Sequence, residues 1–310
     1  MNLIIVTGLR QHHKRLCAQL VKQFNVVGII HPAENQYPVK QRIARWIREA
    51  GLDGWAMAGF NVLGKMFTRS AKNPNQGKTD LLPFGDSEGA RAYDGIPRSL
   101  VHPGCDIRTK DCCELIRSLK PDVIVCLGGP VYPKAFIDSS PLMLNFHSGI
   151  SPIYNGTASI QFAFANGHPH LCGGTLMKMA TAVDGGRMLG HYLPAVQSGD
   201  SPESLFEKTV NGASLMYRNV LQHLQSSGGE LHSVPQPPPL FYTRGSDFGW
   251  YHRERINRYL RTDLPARFGR PQCLSEYWRE ATPEAACRRY QAFLDQLLWG
   301  LDGFGNEPQK

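Results

Sequence analysis

Leu144-Asn145-Phe146-His147-Ser148-Gly149-Ile150-Ser151-Pro152-Ile153-Tyr154-Asn155-Gly156 is the stretch on which the reading of this chain turns. An apolar run enters it and a turn-rich loop leaves it. Side chains alternate across an extended strand, so Asn145 and His147 face one way and Phe146 the other. An amide beside a titratable imidazole at the C-terminal end of a strand lies where open α/β sheets hold their ligands. Taken alone, the pair serves equally well as a strand end with two satisfied polar groups. The flanking sequence has to decide.

Upstream, Val123 to Leu127 reads as a buried strand that stops at the sharp turn Gly128-Gly129-Pro130. Lys110 to Leu119 has helical spacing, with Cys113, Leu115, Ile116 and Leu119 available for packing, and Pro121 ends it. Residues 3–7 form a first strand and residues 12–24 a helix packing through Leu16, Leu20 and Val21. Residues 25–30 form a second strand and 39–50 a basic amphipathic helix. This alternation predicts an α/β fold: a Rossmann-like, mostly parallel sheet with helices on both faces. GxGxxG is missing after the first strand and at Gly128-Gly129. These glycines are therefore read as letting a ligand approach the backbone, not as a dinucleotide fingerprint. Residues 51–105 are rich in Gly, Asn and Pro and carry Lys65, Arg69, Lys72 and Lys78. So long a stretch without regular structure is unusual in a compact domain, so they are expected to be an insertion containing short helices or a cap, its basic residues lying on a solvated loop in preference to a substrate-facing flap.

Downstream, Thr157 to Ala165 reads as a helix capped by Thr157 or Asn155, and Gly173 to Met179 and Met188 to Leu193 as strands. Between those strands a tight loop carries Asp184 ahead of Gly185-Gly186. Ser201 with Pro202 signals a helix start. That helix is expected to run to about Val210, and a second, separate or continuous with it, to Leu224. Ser226-Ser227-Gly228-Gly229 and Pro235-Gln236-Pro237-Pro238-Pro239 mark a boundary. The expected domains are 1–225, catalytic, and 226–310, a smaller C-terminal extension with helices at Trp250 to Arg261 and Pro283 to Leu301. Its aromatic residues Phe241, Tyr242, Trp250, Tyr251 and Trp278 are expected to pack on the first domain or a partner chain rather than stack on a substrate.

The chain has 310 residues, 42% hydrophobic and 19% charged, with a net charge of +8. That balance suits an anionic ligand, and no dense Lys/Arg run marks a nucleic-acid tail. Eight cysteines are scattered without CxxC spacing, against a zinc ribbon or redox motif and in keeping with the cytoplasm. His168-x-His170-x-Cys172 reads as a turn around Pro169, so no metal is expected. No segment approaches membrane length.

Asn145, His147 and Asp184 make chemical sense together. When an amine attacks a carbonyl carbon, negative charge grows on the carbonyl oxygen. Asn145 can donate an N–H to that oxygen, and a protonated His147 can donate another and supply positive charge. Asp184 can orient the imidazole or take the amine's proton. No nucleophilic side chain is needed.

The run Asn145-x-His147, then Pro152-x-Tyr154-x-Gly156, then Asp184-Gly185-Gly186 resembles the tetrahydrofolate-dependent formyltransferase family. That family includes methionyl-tRNA, glycinamide-ribonucleotide and amino-sugar formyltransferases. The resemblance covers about residues 1–225 and is sharpest from 120 to 215. It implies that Asn145, His147 and Asp184 are catalytic and that the donor is 10-formyltetrahydrofolate. It also implies that the pterin lies against Leu127, Gly128, Gly129, Pro130 and Val131 and the loop Ala180, Thr181, Ala182 and Val183. Departures are Gly149, where the family often has Ser two residues after the His, and Ile150-Ser151-Pro152 in place of Leu-Leu-Pro.

Gly8-Leu9-Arg10-Gln11 is no glycine-rich phosphate loop, which argues against glycinamide ribonucleotide as acceptor. The extension lacks the short alternating strands of the barrel in methionyl-tRNA formyltransferases, which argues against initiator tRNA. The expected reaction is formylation of a small-molecule amine, an amino sugar nucleotide or an amino-acid-derived amine. Methionyl-tRNA formylation and formyltetrahydrofolate hydrolysis are the alternatives. Hydrolases usually carry an N-terminal regulatory domain, whereas this chain starts at its first strand. A non-catalytic RNA-binding module would leave the three residues unexplained. The expected partners are the amine and the folate, with no membrane and no nucleic acid other than tRNA in play; a homodimer stays open. Acceptor choice is expected to reside in the 51–105 segment and the tail.

Overall fold

Strands that are apolar at nearly every position, such as Leu3 to Val6 and Val123 to Leu127, force a sheet covered on both faces, and the computed structural model, which describes residues 1–33, 87–228 and 230–302, has one. In β1 (Asn2–Thr7), Leu3 and Ile5 point into one core and Ile4 and Val6 into another. The same period of two runs through β4 (Val123–Leu127) and β5 (Met143–His147). The first core is closed by α1 (Gln11–Val21), through Leu16 and Leu20, and by a long helix, through Met216, Tyr217 and Val220. The second is closed by α3 (Lys110–Ser118) and α4 (Lys134–Ile137), through Cys113, Ile116 and Phe136.

The strand order is β10-β8-β7-β5-β4-β1-β2-β3, with β2 at Asn25–Pro32, β3 at Val101–Cys105, β7 at Gly174–Lys178, β8 at Met188–Leu193 and β10 at Cys273–Glu276. From β3 to β5 every pairing is parallel; β5–β7, β7–β8 and β8–β10 are antiparallel. β1 has β2 on one side and β4 on the other. The chain therefore leaves the C-terminal ends of β1 and β4 in opposite directions, which opens a crevice there.

The expected helix at 39–50 and the first part of the 51–105 segment lie outside the described residues. The last part of that segment contains α2 (Ser87–Asp94), a short helix of the kind expected there, and the edge strand β3, which was not expected. Pro103 and Gly104 hid β3 from the sequence reading, and an edge is where a strand tolerates them. The two helices expected from Ser201 to Leu224 are one, α6 (Pro202–Ser227). Its N-terminus is a capping box in which Ser201 and Ser204 each accept the other's backbone N–H, at 3.2 and 2.9 Å, and Gly228 ends it at φ +55.

Helix α5 (Ser159–Ala165) has neither expected cap. Ala158, at φ 59, precedes it without a side-chain hydrogen bond, because Asn155 and Thr157 are engaged elsewhere.

The C-terminal extension is woven into the same body. β10 joins the main sheet, and β9 (Phe241–Thr243) pairs in parallel with the short β6 (Tyr154–Gly156). α7 (Trp250–Arg261) and α8 (Pro283–Asp302) bury Ile256, Phe293 and Leu297 against Ile150, Tyr154 and Phe164. Trp278 is 1% exposed within the first core, so this aromatic residue packs. Among the described residues no helix is long and apolar enough to cross a membrane.

Candidate active site

The C-terminal end of β5 delivers two side chains to the crevice. Leu144 and Phe146 fill the first core, which turns Asn145 and His147 to the other side. Both line a cavity of about 600 Å³. Among the described residues, nothing occupies the side-chain amide of Asn145. His147 is 7% exposed, and its Nε2 donates to the Tyr154 carbonyl oxygen at 3.0 Å. A carbonyl can only accept, so Nε2 carries a proton. Nδ1 is the remaining nitrogen, and it lies 3.4 Å from Asp184 Oδ2. A second imidazole proton would therefore sit on Nδ1, toward the carboxylate.

Asp184 comes from the opposite wall. The segment from β7 to β8 is too short for a parallel crossover, so the strands form an antiparallel hairpin, unlike the parallel setting expected for this residue. At its tip Asp184 has φ 49, a left-handed conformation that Asp tolerates better than most residues. Two contacts hold it there. Gly156 N–H donates to Oδ2 at 2.8 Å, and Asn155 Nδ2 donates to the Asp184 carbonyl oxygen at 3.0 Å.

The loop between His147 and Tyr154 is anchored from both ends. Thr175 Oγ1 accepts from Ser151 N at 2.9 Å and donates to the Gly149 carbonyl at 2.7 Å. His191 Nε2 donates to the Ser151 carbonyl at 2.7 Å, while Tyr277 of the extension donates to Nδ1 at 2.7 Å. Burial pushes the His191 pKa down to about 4, with the Ser151 carbonyl opposing the shift, so this imidazole is neutral near pH 7.

The structure gathers every residue of the sequence-derived site around this cavity: Asn145, His147 and Asp184, then Leu127 to Val131 on one wall and Ala180 to Val183 on the other. Gly128 and Gly129 have φ +67 and +124, and a Cβ at Gly129 would meet Tyr132 Oη at 2.3 Å. Sequence reasoning missed Arg10, His12 and His13, which line the cavity from the turn after β1, and Phe206 and Val210 of α6. The signal for the first group is the position of Arg10, His12 and His13 directly after the first strand, where an open α/β sheet holds its ligands. Burial, reinforced by His12, Arg10 and His31, lowers the His13 pKa to about 3, so His13 presents a neutral ring. His168 and His170 lie edge to face with ring centres 5.9 Å apart. His168 Nδ1 accepts from Tyr154 Oη at 2.8 Å, and His170 stacks on Phe268 with ring centres 4.3 Å apart.

The family model "Formyl transferase" matches residues 102–221, which contain Asn145, His147 and Asp184. This region is similar to the formyl transferase family. The methionyl-tRNA formyltransferase of Trichlorobacter lovleyi is 33% identical to the chain over 125 residues, 39% of this chain and 38% of the relative. That of Kosmotoga olearia is 29% identical over 179 residues, 57% of this chain and 55% of the relative. The chain thus spans roughly two fifths to just over half of these relatives' length. In three dimensions the formyl transferase fold extends further along the chain. A sugar N-formyltransferase from a Shewanella species superposes with a TM-score of 0.50 at 12% identity, covering 80% of this chain and 78% of that one. A 4-N formyltransferase from Francisella tularensis gives 0.50 at 14% identity, covering 79% and 77%. Their likeness is one of fold.

Proposed function

We propose that this protein is a formyl transferase that moves a formyl group from 10-formyltetrahydrofolate to the amine of a small molecule, an amino sugar nucleotide or an amino-acid-derived amine. The observation that carries the reading is the convergence of Asn145, His147 and Asp184 on one cavity, with His147 Nδ1 and Asp184 Oδ2 3.4 Å apart.

The donor fits the residues present. A cavity of about 600 Å³ lies within the usual range for small-ligand sites. Its two walls, Leu127 to Val131 and Ala180 to Val183, offer backbone edges and small or apolar side chains to a flat ring system. When bound, the donor supplies a formyl carbon whose oxygen becomes negative as an amine adds. Asn145 then donates an amide N–H to that oxygen. His147, with Nε2–H fixed on Tyr154, holds its Nδ1 proton between Asp184 and the same oxygen and brings positive charge. Asp184 accepts the proton lost by the incoming amine and returns one to the departing donor nitrogen. One C–N bond forms as another breaks, and no oxidant or metal enters the balance.

Two named relatives are methionyl-tRNA formyltransferases, and this supports initiator tRNA as the second reading for the acceptor. The test is incubation with the donor and separate pools of nucleotide amino sugars, hydroxylated amino-acid amines and methionyl-tRNA, read by mass spectrometry. A small molecule gaining one formyl group supports the first reading. Formyl-methionyl-tRNA alone supports the second. Donor consumption at the same rate with and without any amine would replace both with hydrolysis.

A further inference from the structure

β6 touches both members of the His147–Asp184 pair, yet it lies outside the main sheet. Its Tyr154 carbonyl receives His147 Nε2–H, and its Gly156 N–H reaches Asp184. Three residues cannot hold such a position by themselves, and their strand partner is β9 of the C-terminal extension. Leu240 N and Phe241 N donate to the Pro152 and Ile153 carbonyls at 2.8 Å each, and Thr157 N donates to the Thr243 carbonyl at 2.9 Å. Phe241 stacks on Tyr154 with ring centres 4.8 Å apart.

Within β9 one side chain bears directly on the site. Thr243 is 8% exposed, and its Oγ1 lies 3.0 Å from the Asn155 carbonyl oxygen and 2.9 Å from that of Thr157. The Asn155 carbonyl and the Gly156 N–H are the two ends of one planar peptide unit. A hydroxyl that holds the oxygen end therefore sets the direction of the N–H end, which points at Asp184 Oδ2. The single hydroxyl proton bridges the Asn155 and Thr157 carbonyls, and its bond to Asn155 and the Gly156 N–H bond to Asp184 polarise each other through the peptide. Gly156 itself, at φ +98, presses against Thr243: a Cβ there would lie 2.1 Å from the Thr243 carbonyl oxygen.

We propose that Thr243 is a positioning residue, acting through the Asn155–Gly156 peptide to hold Asp184 against His147. Its catalytic consequence rests on the formyl-transfer reading above; its structural part does not. The full chain is compared with Thr243→Val, which removes the hydroxyl, and Thr243→Ser, which keeps it. Backbone amide exchange over residues 154–158 is followed by mass spectrometry, and kcat and donor KM by product formation. The valine variant should exchange this segment about tenfold faster and lose about tenfold in kcat, with donor KM within about twofold, and serine should restore both. Unchanged exchange in the valine variant overturns the proposal, as does faster exchange with unaltered kcat. A serine variant as impaired as valine also overturns it, because the hydroxyl would not be the cause. A wild-type chain that formylates no acceptor defeats the functional reading instead, and the exchange data then decide the role of Thr243 alone.

Discussion

Asp184 Oδ2 accepts the Gly156 backbone N–H at 2.8 Å and lies 3.4 Å from His147 Nδ1, so one carboxylate oxygen joins the end of β6 to the end of β5. Replacing it separates two effects. Asp184→Asn keeps the shape but removes the charge that faces the imidazole and the acceptor for the amine's proton. Formyl transfer should fall by about three orders of magnitude or more, with the melting transition still cooperative. Near wild-type product formation by Asp184→Ala would sink the assigned role.

Asn145 should behave differently from the donor-binding walls. Its amide serves an oxygen that becomes charged mainly in the transition state. Asn145→Ala should lower kcat roughly 100- to 1000-fold and change donor KM far less. Steady-state kinetics with varied donor decide it; a rise in KM with kcat intact would move Asn145 from the chemistry to ground-state binding.

Gly156→Ala tests the packing of β6 on β9. The added methyl would demand space 2.1 Å from the Thr243 carbonyl oxygen, at a φ of +98 that L residues avoid. The strand pair must open, at a cost of about 1–3 kcal/mol or more. Denaturant unfolding should show that loss, and activity should fall with it; an unchanged midpoint would mean that the two strands separate freely.

Stability should depend on acid through buried neutral histidines. Burial holds His191 and His170 at about 4 and His13 at about 3, against an ordinary value of 6.5. Their folded-state values lie below the unfolded ones, so their stabilising contribution is present above about pH 6.5. It is lost as pH falls toward 4, because the unfolded chain binds protons that the folded chain refuses. Urea unfolding at pH 7 and pH 5 should show lower stability at pH 5, with a smaller difference in His191→Gln. Equal stability at the two pH values would contradict this account.

Trp278 measures how firmly the extension belongs to the main body. It is 1% exposed in a core shared with β1, β4 and α6. Trp278→Ala should destabilise the whole chain by roughly 3–5 kcal/mol. Thermal unfolding by circular dichroism and by tryptophan fluorescence should shift together; a separate early transition of the extension would show that it folds as its own unit.

The near-continuous apolar runs at residues 3–7 and 123–127 already demanded a sheet buried on both faces, because apolar residues occupy both the odd and the even positions. The side on which Asn145 and His147 would appear followed from the alternation of side chains along a strand. Helices with clear signals, such as the one opened by Ser201-Pro202 and the one from Trp250 to Arg261, were readable from local chemistry alone. β3 and β10 were not. The first contains Pro103 and Gly104, the second has only four residues, and each exists because an established sheet offers it an edge to pair with.

What only the tertiary structure decided is how the three candidate groups are held. Local sequence marks Asn145, His147 and Asp184 as residue types suited to the chemistry. It does not reveal that His147 spends Nε2 on the Tyr154 carbonyl, or that Asp184 leans on the Gly156 amide. It also does not reveal that a threonine of the tail steadies the peptide between them. Those contacts join segments far apart in the chain, and no periodicity records them. They arise when the β7–β8 hairpin and the C-terminal extension dock on the sheet, bringing backbone donors and acceptors within hydrogen-bonding distance of side chains that the sequence could only nominate.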